Sequence, residues 1–150
     1  MRIVVTPQDK IGQWIAERLP ELRDEVEGGK FAAFGVVDRT GRMLGAALYY
    51  RWFEPGRSIE LTWAADSPRW LSYQIIRAIL AYAFVTMGCR RIDGWVLTSN
   101  QRSLRLAKGL GFQIEGLRRR TRGDEDAYLL GLLDDEWRVG RFGPVGRSAA

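Results

Sequence analysis

The chain has no histidine and a single cysteine, Cys89. Mechanisms that need an imidazole base are therefore excluded, Ser-His-Asp and Cys-His arrangements among them. Without His or paired Cys ligands, no metal site is expected. Proton transfer must fall to carboxylates, tyrosine, lysine, hydroxyls or water. Cys89 stands between a helical and a strand-like pattern and reads as a small buried hydrophobe. Three stretches could carry chemistry. "ADSPRWLSYQ", residues 65–74, joins a strand-like run to a helix-like run. Helix N-termini in such places bind phosphates, through loops in which glycine lets the backbone approach the anion. This loop has no glycine and carries Trp70. The run "SIELTWAAD" alternates, with Ile59, Leu61 and Trp63 on one face and Glu60, Thr62 and Ala64 on the other. The third stretch is the basic run Arg118, Arg119, Arg120 and Arg122. It could meet phosphates, an acidic acceptor or nucleic acid, or be neutralised by the adjacent Asp124, Glu125 and Asp126.

The elements that position these residues follow from periodicity. "RIVV" is a short strand. Thr6-Pro7 suits a helix start, with Thr as cap and Pro in the first turn. Ile11, Trp14, Ile15 and Leu19 recur at helical spacing, and Pro20 ends that helix. "ELRDEVEGGK" predicts a second short helix and turn. "FAAFGVVDRTGRMLGAALYYRWF" predicts a β-hairpin around Asp38-Arg39-Thr40-Gly41. After a third antiparallel strand and the 65–74 stretch comes the strongest helix. Its stripe is Leu71, Ile75, Ile79, Ala83 and Met87, and Gly88 stands at its end. "RRIDGWVLT" is a strand, and "SNQRSLRLAKGL" a shorter helix capped by Ser99 or Asn100. "FQIEGLRRR" and "AYLLGLLDDEW" form a last hairpin. Trp14, Trp63 and Trp95 fall on patterned positions expected to be buried. The order predicts a mixed α/β sheet with crossover helices. One domain is expected over 1–142, with a flexible tail over 143–150.

The chain's 150 residues are 46% apolar, enough for one sizeable core. No run approaches the roughly 18 apolar residues of a membrane span. The N-terminus does not read as a secretory signal, so a cytoplasmic location is expected. Lys and Arg number 23 against 18 Asp and Glu, a net charge of +5. Arginine dominates that charge and suits bidentate contact with phosphate or carboxylate.

At "GCRRIDGWVLTSNQRSLRLAKGLGFQIEGLRRR" the sequence resembles the GNAT superfamily of acyl-CoA-dependent N-acyltransferases. The pattern is a strand, Asn-x-x-Ser, a short amphipathic helix, then Gly-Phe and Glu-Gly. Here these are Asn100, Ser103, Gly111, Phe112, Glu115 and Gly116. The branch it most resembles is that of the ribosomal-protein-alanine acetyltransferases. The resemblance implies a mostly antiparallel sheet split in a V between two parallel strands, Ser58–Ala65 and Arg91–Thr98, with helices on both faces. It implies acetyl-CoA or another acyl-CoA as donor, and an amine acceptor that is a small molecule or a protein N-terminus. Backbone amides at Ala64 and Ala65 would hold the pantetheine arm and polarise the thioester carbonyl. Glu60 would accept the amine proton, or be only a solvated or cross-strand-paired glutamate. Asn100 would contact the arm, or serve only as helix cap. Ser103 would assist the departing thiolate, or only permit close packing. Ala107 stands where many relatives carry a tyrosine acid, so that role is vacant.

The family's pyrophosphate loop, Gln/Arg-x-x-Gly-x-Gly/Ala, falls on Ser67-Pro68-Arg69-Trp70-Leu71-Ser72. Ser67 replaces Gln or Arg, and Trp70 and Ser72 fill both glycine positions. What remains for a phosphate is the helix N-terminus with Leu71, the charge of Arg69 and the Ser72 hydroxyl. The Trp70 indole could stack on adenine or pack into the core. Three functions follow: an acyltransferase acting through a ternary complex, a GNAT-fold binding or assembly protein that has lost the cofactor grip, and a nucleic-acid-modifying relative suggested only by the basic balance. A homodimer is left open, and membrane association is not expected.

Overall fold

In the computed structural model, which describes residues 1–144, the protein is a mixed α/β fold. Its seven-stranded sheet is mostly antiparallel with one parallel pair. The elements are β1 (Arg2–Val4), α1 (Gln8–Arg18), α2 (Arg23–Gly28), β2 (Phe31–Val37), β3 (Met43–Phe53), β4 (Ser58–Ala65), α3 (Tyr73–Ala81), β5 (Arg91–Leu97), α4 (Gln101–Leu110), β6 (Gln113–Arg122), β7 (Glu125–Leu133) and α5 (Asp134–Val139). They fall into two compact units. One comprises Met1–Trp52 and Glu60–Ile79; the other comprises Phe53–Ile59 and the chain from Leu80 onward.

In the first unit the strands follow the order β1-β2-β3-β4. The β2–β3 hairpin forms where the turn chemistry places it. The Asp38 carboxylate accepts hydrogen bonds from the Thr40 and Arg42 N–H groups at 2.8 and 3.1 Å, closing the turn. β3 is buried without interruption from Gly45 to Tyr50, so it is covered on both faces. Under it α1 contributes Ile11 and Ile15 to a core with Leu22, Ala33, Ala46, Leu48 and Tyr50. The Tyr49 hydroxyl donates to the Ile79 carbonyl at 2.8 Å and ties α3 to β3. α1 begins one residue later than the Thr6-Pro7 signal suggests. Pro7 is its N-cap and no side chain caps it, so Thr6 does not fill that role.

In the second unit the order is β5-β7-β6. Arg91 on β5 reaches Glu115 on β6 at 2.5 Å and Asp93 at 2.7 Å. The Arg91–Glu115 contact passes over Gly131 of β7, where a Cβ would collide with both side chains. The long helix ends differently from its sequence pattern: after α3, residues Tyr82–Thr86 form a π-helical turn. The last strand is shorter than "AYLLGLLDDEW" suggests. β7 stops at Leu133, and the acidic residues that follow form the first turn of α5, where negative charge suits the helix dipole. Trp137 of α5 stacks on Phe84 at 4.9 Å. The described part of the glycine- and arginine-rich end packs against the fold. Phe142 is buried, and the Gly143 N–H donates to the Gly140 carbonyl at 3.1 Å. The tail expected over 143–150 lies, from residue 145, outside the described residues. Among the described residues no helix is long and apolar enough to cross a membrane.

Trp14, Trp63 and Trp95 are half-buried, whereas the buried tryptophans are Trp70 and Trp137. A Cβ at Gly143 would overlap the Trp137 carbonyl oxygen, and backbone cannot give way as a side-chain tip can. Gly143→Ala is expected to destabilise the protein by about 1–3 kcal/mol in denaturant unfolding. An unchanged midpoint would show that the 140–143 turn does not lock onto α5.

Candidate active site

The 65–74 stretch is resolved into a turn and a delayed helix. Residues 66–69 bend, 70–72 are irregular, and α3 starts only at Tyr73. Ser72 is the residue that starts it. Its hydroxyl accepts the Ile75 N–H at 3.2 Å and its carbonyl accepts the Ile76 N–H at 3.0 Å, the geometry of a serine N-cap. The hydroxyl expected to help a phosphate is thus already engaged with the helix. Upstream, the Asp66 and Ser67 N–H groups both donate to the Leu44 carbonyl, at 2.9 and 3.1 Å. The Arg69 N–H donates to Ser67 Oγ at 3.2 Å. Arg69 itself is exposed, and Leu71 is half-buried.

Trp70 decides the course of this loop. It is 5% exposed. A Cβ built on Gly45 would stand 2.5 Å from the indole Cδ2 and Cε3 atoms, so the ring lies flat on the bare backbone of β3. Of the two sequence alternatives for the indole, stacking on adenine and packing into the core, the geometry is the second. The ring is buried in protein, and the bare backbone at Gly45 makes room for it.

A second clamp holds the loop's beginning. Arg18 of α1 donates to both Asp66 carboxylate oxygens, at 2.8 and 2.7 Å, while its guanidinium sits 3.5 Å over the Trp14 ring. Such bidentate pairs fix direction as well as charge. The hydrogen bond from Arg18 holds the Asp66 carboxyl below the usual carboxylate range.

Glu60 lies on β4, with its side chain 19% exposed. The Tyr50 hydroxyl donates to Glu60 Oε2 in a short contact. Burial first, and then this carboxylate, push the Tyr50 phenol far above its ordinary value. Tyr50 therefore remains a donor across the physiological range. Arg51 stands 3.9 Å from the same Glu60 oxygen and 2.8 Å from Glu25 of α2. It holds this position with φ at 58°, a left-handed conformation that costs a non-glycine residue about 1 kcal/mol or more. Two residues of β3 thus meet one carboxylate of β4, and α2 holds one of them through Glu25. The sequence named Glu60 but not Tyr50, Arg51 or Glu25. The available signal was symmetry: Tyr50 and Glu60 are equidistant from Pro55, in the 3₁₀ turn Glu54–Gly56 that joins β3 to β4. Further along β4, Ala64 is half-buried and Ala65 exposed.

In the second unit Asn100, not Ser99, caps α4. Its Oδ1 accepts the Ser103 N–H at 3.2 Å. Ser103 is half-buried on the first turn of α4. Cys89 is 2% exposed, and burial pushes its thiol up to about 11, as suits a packing residue rather than a nucleophile. The basic run lies along β6. Arg118 sits 5.6 Å over Trp95, and Arg120 is 3.9 Å from Asp124. Asp126 and Glu125 instead accept the backbone N–H groups of Arg120 and Ser99. Among the described residues no group of three or more acidic or cysteine side chains is placed to hold a metal ion.

These features can be set beside known proteins. The family model "Acetyltransferase (GNAT) domain" matches residues 1–113, and the chain belongs to that family. No protein of curated function is significantly similar in sequence. Among solved structures, a point mutant of the spermidine N-acetyltransferase SpeG from Vibrio cholerae aligns with a TM-score of 0.71 at 15% identity, over 91% of this chain and 96% of that one. A ribosomal-protein-S5-alanine acetyltransferase from Vibrio fischeri aligns with a TM-score of 0.64 at 21% identity, over 81% of this chain and 71% of that one. At such identities the likeness is one of fold.

Two outcomes are expected. Gly45→Ala should destabilise by about 1–3 kcal/mol in chemical denaturation, because a flat, enclosed indole cannot retreat; an unchanged midpoint would place Trp70 elsewhere. Asp66 has a folded pKa below its unfolded value, so its pairing with Arg18 stabilises the fold above the unfolded pKa, about 3.9. That contribution disappears as pH falls through the lower folded value. Unfolding followed against pH should show a steeper acid loss in the native protein than in Asp66→Asn. Superimposable acid limbs would contradict the pairing.

Proposed function

We propose that the protein transfers an acetyl group, or a related acyl group, from a thioester donor to a primary amine. The observation that carries this reading is Glu60, a largely buried carboxylate on β4 held by the Tyr50 hydroxyl with Arg51 beside it. Acetyl-CoA is the family's donor and is the donor assigned here. The amine nitrogen attacks the thioester carbonyl, the C–S bond breaks as the C–N bond forms, and no covalent enzyme intermediate is needed. Glu60 Oε1 receives the amine proton, while Tyr50 fixes Oε2 and with it the carboxylate plane. The backbone at Ala64 and Ala65 is assigned to the pantetheine arm and the developing oxyanion. Asn100 is assigned to the arm as well as to its cap, and Ser103 to the departing thiolate. A thiolate leaves without a strong acid, so Ala107 in the family's tyrosine position is compatible with turnover.

A second reading is a GNAT-fold binding protein without catalysis. The filled glycine positions at Trp70 and Ser72 favour it. Thiol release from acetyl-CoA separates the two, measured across a panel of primary amines. The panel includes spermidine, named for one structural neighbour, and an alanine peptide, since the other is named a ribosomal-protein-S5-alanine acetyltransferase. Release with at least one amine, lowered about 10²-fold or more in Glu60→Gln, is expected. Equal rates in Glu60→Gln would remove Glu60 as the base, and no release with any amine would favour the binding reading.

A further inference from the structure

We infer that the thioester donor is recognised by its pantetheine arm, with the adenosine-phosphate end left ungripped, so that an acyl-phosphopantetheine without the nucleotide serves as well as acyl-CoA. This rests on the acyl-transfer reading and specifies the donor's chemical class. In the first half of the loop between β4 and α3, where the family grips pyrophosphate, the backbone N–H groups of residues 66–69 are turned inward. The N–H groups of Asp66 and Ser67 are given to the Leu44 carbonyl, and that of Arg69 to Ser67 Oγ. Pro68 has none. The Ile75 N–H, in the first turn of α3, is given to Ser72 Oγ. Anion binding at a helix N-terminus depends on such groups pointing outward.

Shape and charge act in the same direction. Trp70 is drawn into the core against Gly45. The loop is therefore anchored from below by a large ring, where a pyrophosphate grip uses glycine to bring backbone against the phosphates. The loop's first side chain, Asp66, is a carboxylate held ionised by Arg18. A carboxylate there repels a pyrophosphate, and Arg18 is already committed to it. Arg69 is the loop's one cation, and a single exposed arginine binds phosphate weakly. None of this touches the part of β4 assigned to the arm. The transfer stays balanced: the thioester carbon passes from sulfur to nitrogen, and the amine proton goes by Glu60 to the departing thiolate, with no other reactant.

Calorimetric titration of the unmodified protein tests this without a known acceptor. The probes are acetyl-CoA, S-acetyl-4′-phosphopantetheine, an acetylated acyl carrier protein and adenosine 3′,5′-bisphosphate. Dissociation constants for acetyl-CoA and acetyl-phosphopantetheine are expected to agree within about threefold. The bisphosphate is expected not to compete at about 1 mM. If the carrier-borne arm binds tighter than the free arm, the inference holds and the source is a carrier protein; if not, the source is the free thioester. Acetyl-CoA binding about 30-fold or more tighter than the arm alone overturns this inference and leaves the acyl-transfer reading intact. Failure of every thioester to bind overturns both.

Discussion

The seating of the Trp70 indole on the bare backbone of Gly45 is the contact on which the candidate site depends. It fixes where the chain leaves β4 and how late α3 can begin. With the ring buried, residues 70–72 run as irregular chain, and the helix starts at Tyr73 behind its Ser72 cap. The Arg18–Asp66 pair then holds the near side of the same loop against α1. Two clamps of different kinds, one apolar and one ionic, leave the segment little freedom. Burial of a tryptophan contributes more than the ion pair, because Asp66 is solvent-exposed and its attraction to Arg18 is screened.

The opposite strategy is seen around Glu60. There the structure keeps a carboxylate largely away from water and surrounds it with donors. A buried charge must be hydrogen-bonded to be tolerated. Tyr50 supplies that bond, and Arg51 adds charge from a left-handed backbone that costs energy to hold. Strain maintained beside a charged side chain is the kind of feature that functional sites retain. The first unit therefore contains both a hydrogen-bonded, largely buried carboxylate and a loop whose residues 66–69 are bonded inward.

What could be read from the sequence was what is local. The Asp38–Gly41 turn, the Asn100 cap and the helical stripe of Ile75 and Ile79 each follow from residues within a few positions of one another. Glu60 was legible because strand alternation placed it opposite the apolar face. Its partners were not, because Tyr50 and Arg51 reach it from another strand and Glu25 reaches Arg51 from a helix. Trp70 was identified as the residue that breaks the loop pattern. The ring's destination was hidden, since nothing near Trp70 points to a glycine 25 positions earlier on a neighbouring strand. The helix at "DDEW" was missed for a related reason: it continues an apolar strand directly, and only the clustered acidic residues mark the change. The burial expected for Trp63 and Trp95 failed because alternation identifies a face and not how thickly that face is covered.

The most direct test follows backbone and indole N–H signals by NMR while acetyl-CoA is added. The account predicts shifts at Ala64 and Ala65 of β4, with the signals of residues 66–72 and the Trp70 indole unmoved and their exchange with solvent slow at Asp66, Ser67 and Arg69. Large shifts through Ser67–Ser72, or release of the Trp70 indole to rapid exchange, would show that the loop opens to take the pyrophosphate and would contradict it.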